Sequence, residues 1–187
     1  MVDRRDDTGL LIVAHGDRGG HANNAGVSGL ATELAARGMF GEIKFGFIKG
    51  SPDIESALAA FSLPKVLAYP LFLSDGYFVR TVLARKLETA ALTRTGQSIR
   101  LLPALGLDMG LGDVIAHKAV SIANTRGFAV EWTTLVLLAH GSSKDSASRL
   151  ATERLARHIG QRTLFRRVGA AFLEEPPAID EVMRETK

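Results

Sequence analysis

The sequence predicts an α/β protein: a parallel sheet with helices on both faces, duplicated, the second copy incomplete. Three observations carry this. The run Leu10-Leu11-Ile12-Val13-Ala14-His15-Gly16 returns 125 residues later as Leu135-Val136-Leu137-Leu138-Ala139-His140-Gly141. The offset continues without a gap, setting Phe47 on Phe172, Pro52 on Pro177 and Ile54 on Ile179. A repeat of that length marks a duplicated domain-sized unit rather than a solenoid. Second, short continuous apolar runs alternate with stretches of helical spacing, as expected of strands buried on both faces and covered by helices. Third, the same offset sets Lys187 on Ser62, so the second copy reaches only two strand–helix pairs.

Each element follows from a local pattern. Residues 1–8 are polar and expected to fray. Leu10–Ala14 is the first buried strand. Asp17 to Asn24 is a polar, Gly-rich turn, after which Val27, Leu30, Ala31, Leu34 and Ala35 recur at helical spacing, with Gly38 as the stop. Glu42–Ile48 is the second strand. Pro52 suits the first turn of a helix capped by Ser51, with Ile54, Leu58 and Phe61 as its stripe. Lys65–Leu73 is the third strand, and Pro70 marks a bulge or its end. Ser74-Asp75-Gly76 is a turn, and Val79, Val82, Leu83 and Leu87 begin a long helix. Ile99–Leu102 is the fourth strand and Val114–Ile122 a closing helix. The second unit repeats the opening: strand Thr134–Ala139, helix Ala147–Ile159, strand Arg166–Leu173, helix Pro177–Met183. The expected units are 1–128 and 129–187. Two strands do not stand alone, so the second unit is expected to lean on the first, to pair with another chain, or to belong to a longer product. A homodimer is expected on that ground.

Composition removes several classes of function. The chain of 187 residues has no cysteine, which rules out disulfides and thiolate metal sites. A metal would need His, Asp, Glu or water. The charged residues after Met1 and the short apolar run that follows do not make a secretory signal. No apolar stretch reaches membrane-spanning length, so a cytoplasmic protein is expected. A net charge of +3, from 23 basic against 20 acidic residues, argues against a nucleic-acid partner. It suits an acidic small molecule where basic residues gather.

In open parallel sheets ligands bind beyond the carboxyl ends of strands, where the strand order reverses. His15 and His140 each stand just past the end of their unit's first strand. A single such His would read as a loop residue hydrogen-bonded to a strand end. Its retention in both copies, amid much divergence, favours a working imidazole, the commonest side-chain metal ligand. The loop Ser74-Asp75-Gly76-Tyr77-Phe78 is expected beside His15, if the first and third strands flank the switch point. Glu174 ends the second strand of the second unit, on the edge of His140. It could ligate a divalent ion, take protons from a substrate, or sit at a helix start favoured by the dipole. The matching residue in the first unit is Lys49, so the two sites are not equivalent. Gly16-Asp17-Arg18-Gly19-Gly20 lacks both the P-loop Lys-Ser/Thr pair and the dinucleotide spacing and reads as a strand-to-helix turn. Arg18, Lys49, Arg80, Arg85, Lys86 and Lys144 fall near the same edge or its helices, where a subset could hold carboxylates. His21, His117 and His158 are given no role.

These residues resemble the sirohydrochlorin chelatase family, the small type II chelatases of cobalamin and sirohaem synthesis. The likeness covers most of the chain. It rests on Ile12-Val13-Ala14-His15-Gly16, Tyr69-Pro70-Leu71-Phe72-Leu73-Ser74-Asp75-Gly76, Leu138-Ala139-His140-Gly141-Ser142-Ser143, and Phe172-Leu173-Glu174 followed by Pro177. It implies two flavodoxin-like, chelatase-like halves facing a cleft, and a lyase that inserts Co²⁺ or Fe²⁺ into sirohydrochlorin, with the divalent ion as substrate and no organic cofactor. It implies a metal and proton-transfer set of His15, His140 and Glu174. Around these, Arg18, Lys49, Ser74, Gly76, Tyr77 and Ser142 would hold the tetrapyrrole. In the family a His after the first strand, a Glu after the second and a His after the third serve the metal. Here Lys49 takes the Glu position of the first unit and Phe78 the second His position. A degenerate tetrapyrrole- or metal-binding protein of the same fold is the alternative. A histidine phosphatase, which also ends a strand in His-Gly, wants an Arg before the His; Ala14 and Ala139 stand there.

Overall fold

The computed structural model describes residues 5–17, 21–94, 96–142 and 145–185. The chain divides into two compact units, Met1–Phe72 with Tyr77–Ala104, and Leu73–Gly76 with Leu105–Lys187.

The first unit is a four-stranded parallel sheet. Its strands are β1 (Arg5–Ala14), β2 (Phe40–Phe47), β3 (Lys65–Pro70) and β4 (Ser98–Leu101), in the order β2-β1-β3-β4. The order reverses between β1 and β3, the condition on which the expected placing of the loop after β3 depended. Leu10 to Val13 of β1 are buried on both faces, which is why that run shows no alternation. Successive residues feed opposite layers. Leu10 and Ile12 pack under α1 (His21–Ala36) through Ala31. Leu11 and Val13 pack on the other face, with Ile54, Ala57 and Leu58 of α2 (Ile54–Ala59) and Leu87 and Ala90 of α3 (Ala84–Thr93). β3 stops at Pro70, whose ring nitrogen has no proton for a ladder.

Several boundaries differ from the sequence reading. α1 starts inside the stretch read as a turn. α2 starts two residues past Pro52, and its cap is Asp53, not Ser51. Asp53 is extended and its carboxylate accepts from the Ser56 N–H at 2.7 Å. Pro52, after a cis bond, lies outside the helix, where its carbonyl accepts from Phe47 N. The helix expected from Val79 opens instead as a π-helical turn, Phe78–Leu83, that runs into α3.

The second unit holds β5 (Thr134–Ala139), α5 (Ala147–Gly160), β6 (Arg167–Phe172) and α6 (Ile179–Glu185), with β5 and β6 parallel. It also holds α4 (Met109–Thr125), which the sequence reading put at the close of the first unit. The physical reason is its packing: Ala116 joins Ile159, Phe165, Leu135 and Leu137 in one apolar cluster. Asp113 of α4 also takes His158 Nε2 of α5 at 2.8 Å and pairs with Arg162.

The duplication holds at the level of backbone bonds. Ala14 faces Phe47 in register, as Ala139 faces Phe172. Phe47 N donates to Pro52 O and Phe172 N to Pro177 O, both at 2.9 Å. Gly16 and Gly141 both turn the chain with positive φ, 76° and 77°, a conformation costly for a residue with a Cβ.

Candidate functional site

In each unit the first strand ends in a His–Gly turn whose carbonyl captures the end of the neighbouring strand. In the second unit His140 O accepts from Glu174 N at 2.9 Å. That bond brings the two side chains together: His140 Nε2 lies 3.0 Å from Glu174 Oε1, and both are largely exposed, at 71% and 55%. The carboxylate accepts, so the imidazole donates from Nε2. The same separation suits a shared cation, because two ligand bonds of about 2.1 Å at a right angle span about 3 Å. The exposure leaves further coordination positions to water or substrate.

The next residue works inward. Glu175 Oε1 accepts from Ser142 N at 2.9 Å, and Oε2 lies 3.5 Å from Arg149 Nε. A Cβ on Gly141 would meet Glu175 Cγ at 2.9 Å. Of two adjacent carboxylates, one faces the open edge and the other ties down the loop that carries His140. Sequence reasoning missed Glu175, which lies past the end of β6, where strand alternation no longer fixes the direction of a side chain.

The first unit repeats the backbone with other side chains. His15 O accepts from Lys49 N at 2.7 Å, so Lys49 occupies the place of Glu174. His15 Nδ1 lies 3.1 Å from Gly16 O; since the carbonyl accepts, Nδ1 donates and Nε2 is turned away from that bond. The loop after β3 does come beside His15, through Phe78: the rings meet edge to face, centroids 4.8 Å apart at 85°. Lys49 Nζ lies over the same Phe78 ring, 5.9 Å from its centroid, and exposed Tyr77 packs against Phe78 at 5.7 Å.

The remaining predicted residues divide. Arg18 and Lys144 lie outside the described residues. Ser74 and Gly76 belong to the second unit, where a Cβ on Gly76 would meet Asp145 Oδ2 at 2.9 Å. Lys86 pairs with Glu55. Among the described residues no group of three or more His, Cys, Asp and Glu is placed to hold an ion.

A duplicated parallel α/β unit with an imidazole and a carboxylate at its carboxyl edge defines a protein of the chelatase fold. The chain belongs to the CbiX family, whose model matches residues 9–121. A probable sirohydrochlorin cobaltochelatase of Halobacterium salinarum is 24% identical over 92% of this chain. The chain spans 65% of that relative's length. Of solved structures, CbiX, described as the terminal enzyme for biosynthesis of siroheme in denitrifying bacteria, is 26% identical. It matches with a TM-score of 0.71 over 93% of this chain and 73% of its own. SirB from Bacillus subtilis with Fe³⁺ shares the fold at a TM-score of 0.81 and 19% identity, over 95% and 70% of the two chains.

Proposed function

We propose that this chain is a sirohydrochlorin chelatase-type lyase that hands a divalent ion, Co²⁺ or Fe²⁺, to a tetrapyrrole. The observation that carries the reading is the exposed His140–Glu174 pair, 3.0 Å apart at the carboxyl edge of a CbiX-family unit. Insertion requires an ion held loosely enough to leave and a base for the two pyrrole protons. One imidazole and one carboxylate, open to solvent, meet the first need. His15, whose Nδ1 faces the Gly16 carbonyl, serves as proton acceptor or as a second ligand. Arg18, Lys49, Ser74, Gly76, Tyr77 and Ser142 hold the macrocycle, the cations by pairing with its carboxylates. The ion is substrate, and the reaction takes no organic cofactor. The working form is a homodimer in the cytoplasm; among the described residues no helix is long and apolar enough to cross a membrane.

Lys49 and Phe78 favour a second reading, a non-catalytic binder of the tetrapyrrole. The deciding experiment mixes protein, sirohydrochlorin and Co²⁺ and follows the absorption spectrum against a protein-free control. Insertion faster than the control supports the chelatase; a binding shift with no acceleration supports the binder.

A further inference from the structure

The two half-sites share one backbone and carry opposite charge. Lys49 N bonds His15 O as Glu174 N bonds His140 O, at 2.7 and 2.9 Å. A Cβ on Gly16 would meet Lys49 O at 2.1 Å, so the turn is packed against the Lys49 backbone and fixes where its side chain leaves. The first unit has four lysines, and three face carboxylates: Lys44 on Glu42, Lys65 on Asp7 and Lys86 on Glu55. Lys49 has no carboxylate partner among the described residues. Its ammonium lies over the Phe78 ring, whose other neighbours are His15 and Tyr77. An aromatic face attracts a cation without neutralising it, so the charge stays available to an anion from solvent. Beside it a divalent cation would be repelled, while a carboxylate would find a charge-assisted donor.

We propose that the His15–Phe78–Lys49 half-site excludes metal, which leaves His15 the role of proton acceptor and not that of second ligand, and instead binds a carboxylate of an acidic substrate, with Phe78 positioning the Lys49 ammonium. The duplicated halves then divide the work: the second takes the ion and the first recognises substrate anions. The inference deepens the chelatase reading and rests on it for the identity of the acid. The matched backbone also means that the exchange is reversible by side chains alone.

Two titrations on the full chain test this. In the first, Co²⁺ alone is titrated. The wild type binds a single equivalent, which His140→Ala abolishes and His15→Ala leaves in place, while the double variant Lys49→Glu with Phe78→His gains a second. In the second, metal-free sirohydrochlorin is titrated by fluorescence. Lys49→Ala weakens binding about tenfold, as expected for a lost charge-assisted bond. Lys49→Glu weakens it further and Lys49→Arg restores it. Phe78→Leu weakens it several-fold and leaves Co²⁺ binding unchanged. The proposal is overturned if Lys49→Ala binds sirohydrochlorin as the wild type does, or if His15→Ala removes Co²⁺ binding from the wild type. Overturned in this way with insertion intact, it leaves the chelatase reading standing. Weakened binding in Lys49→Ala with no insertion by the wild type supports the proposal and removes the chelatase reading.

Discussion

Residues 49 and 174 occupy one backbone position twice and hold opposite charges, and the proposed division between the half-sites turns on that difference. Removing either member of the proposed metal pair tests this directly. His140→Ala and Glu174→Gln should each lower Co²⁺ affinity at least ~tenfold, with the loss read by equilibrium dialysis; unchanged binding in both would remove the pair from the mechanism. Their neighbours set the loop. A methyl group on Gly141 would force a φ of 77° on a residue with a Cβ and press on Glu175. Gly141→Ala should therefore cost about 1–2 kcal/mol, read by urea unfolding, with a drop in metal affinity beyond what the stability loss explains. The placing of His15 and His140 at matched strand ends was legible in the sequence from the internal repeat, and that of Glu174 from its position past the second strand of its unit, where the repeat has Lys49 instead. Phe78 beside His15 was legible too, through the strand order. The roles of Phe78 and Glu175 were not, because both depend on which way a side chain turns after its strand has ended.

At the scale of elements, matched helices start by different bonds. In α2 the Asp53 carboxylate accepts from Ser56 N. In α6 the matching residue is Ala178, and Glu181, at the place of Ser56, reaches back to accept from Ala178 N at 3.0 Å. Each is one half of a reciprocal cap. Hydrogen bonding from Ser56, through its side chain and then its backbone, holds the Asp53 carboxyl below its ordinary value of 3.8. A carboxyl lowered in the folded state stabilises the fold above its unfolded pKa, and that contribution is lost as pH falls through the folded value. Asp53→Ala should cost about 1 kcal/mol at neutral pH. The gap between variant and wild type in urea unfolding should narrow as pH falls below about 3.8; a gap independent of pH would contradict the cap. On α4, a Cβ at Gly112 would meet His158 Cδ2 at 2.9 Å. Gly112→Ala should cost about 1–3 kcal/mol by overpacking the α4–α5 contact, measured by thermal unfolding. The Ser51 cap failed as an expectation because Pro52 suits a first turn locally, whereas its carbonyl is already taken by Phe47 across the strand end. That partner lies outside any helix window.

For the molecule as a whole, the internal repeat compares covered and uncovered positions. Val13 of β1 and Leu58 of α2 are fully buried; their matches Leu138 and Met183 are 52% and 54% exposed. Val13 lies under α2 and α3, whereas among the described residues Leu138 shares its sheet with β6 alone. Apolar surface of this kind favours association. The expected outcome is a dimer at tens of micromolar by light scattering, which Leu138→Lys shifts toward monomer. A monomeric wild type across that range would count against it.

By itself the sequence determined the duplicated α/β plan, the strands, their parallel pairing, and the residue types at each strand end. Those are properties of periodicity and of a repeat, and both are carried by neighbouring residues. Only the tertiary structure decided that α4 packs in the second unit, that Asp53 caps α2, and that Glu175 turns inward. It also decided that Lys49 rests on a phenyl ring and, among the described residues, pairs with no acid. Each of these depends on a partner distant along the chain, and burial and hydrogen-bond satisfaction choose that partner only once the chain has folded.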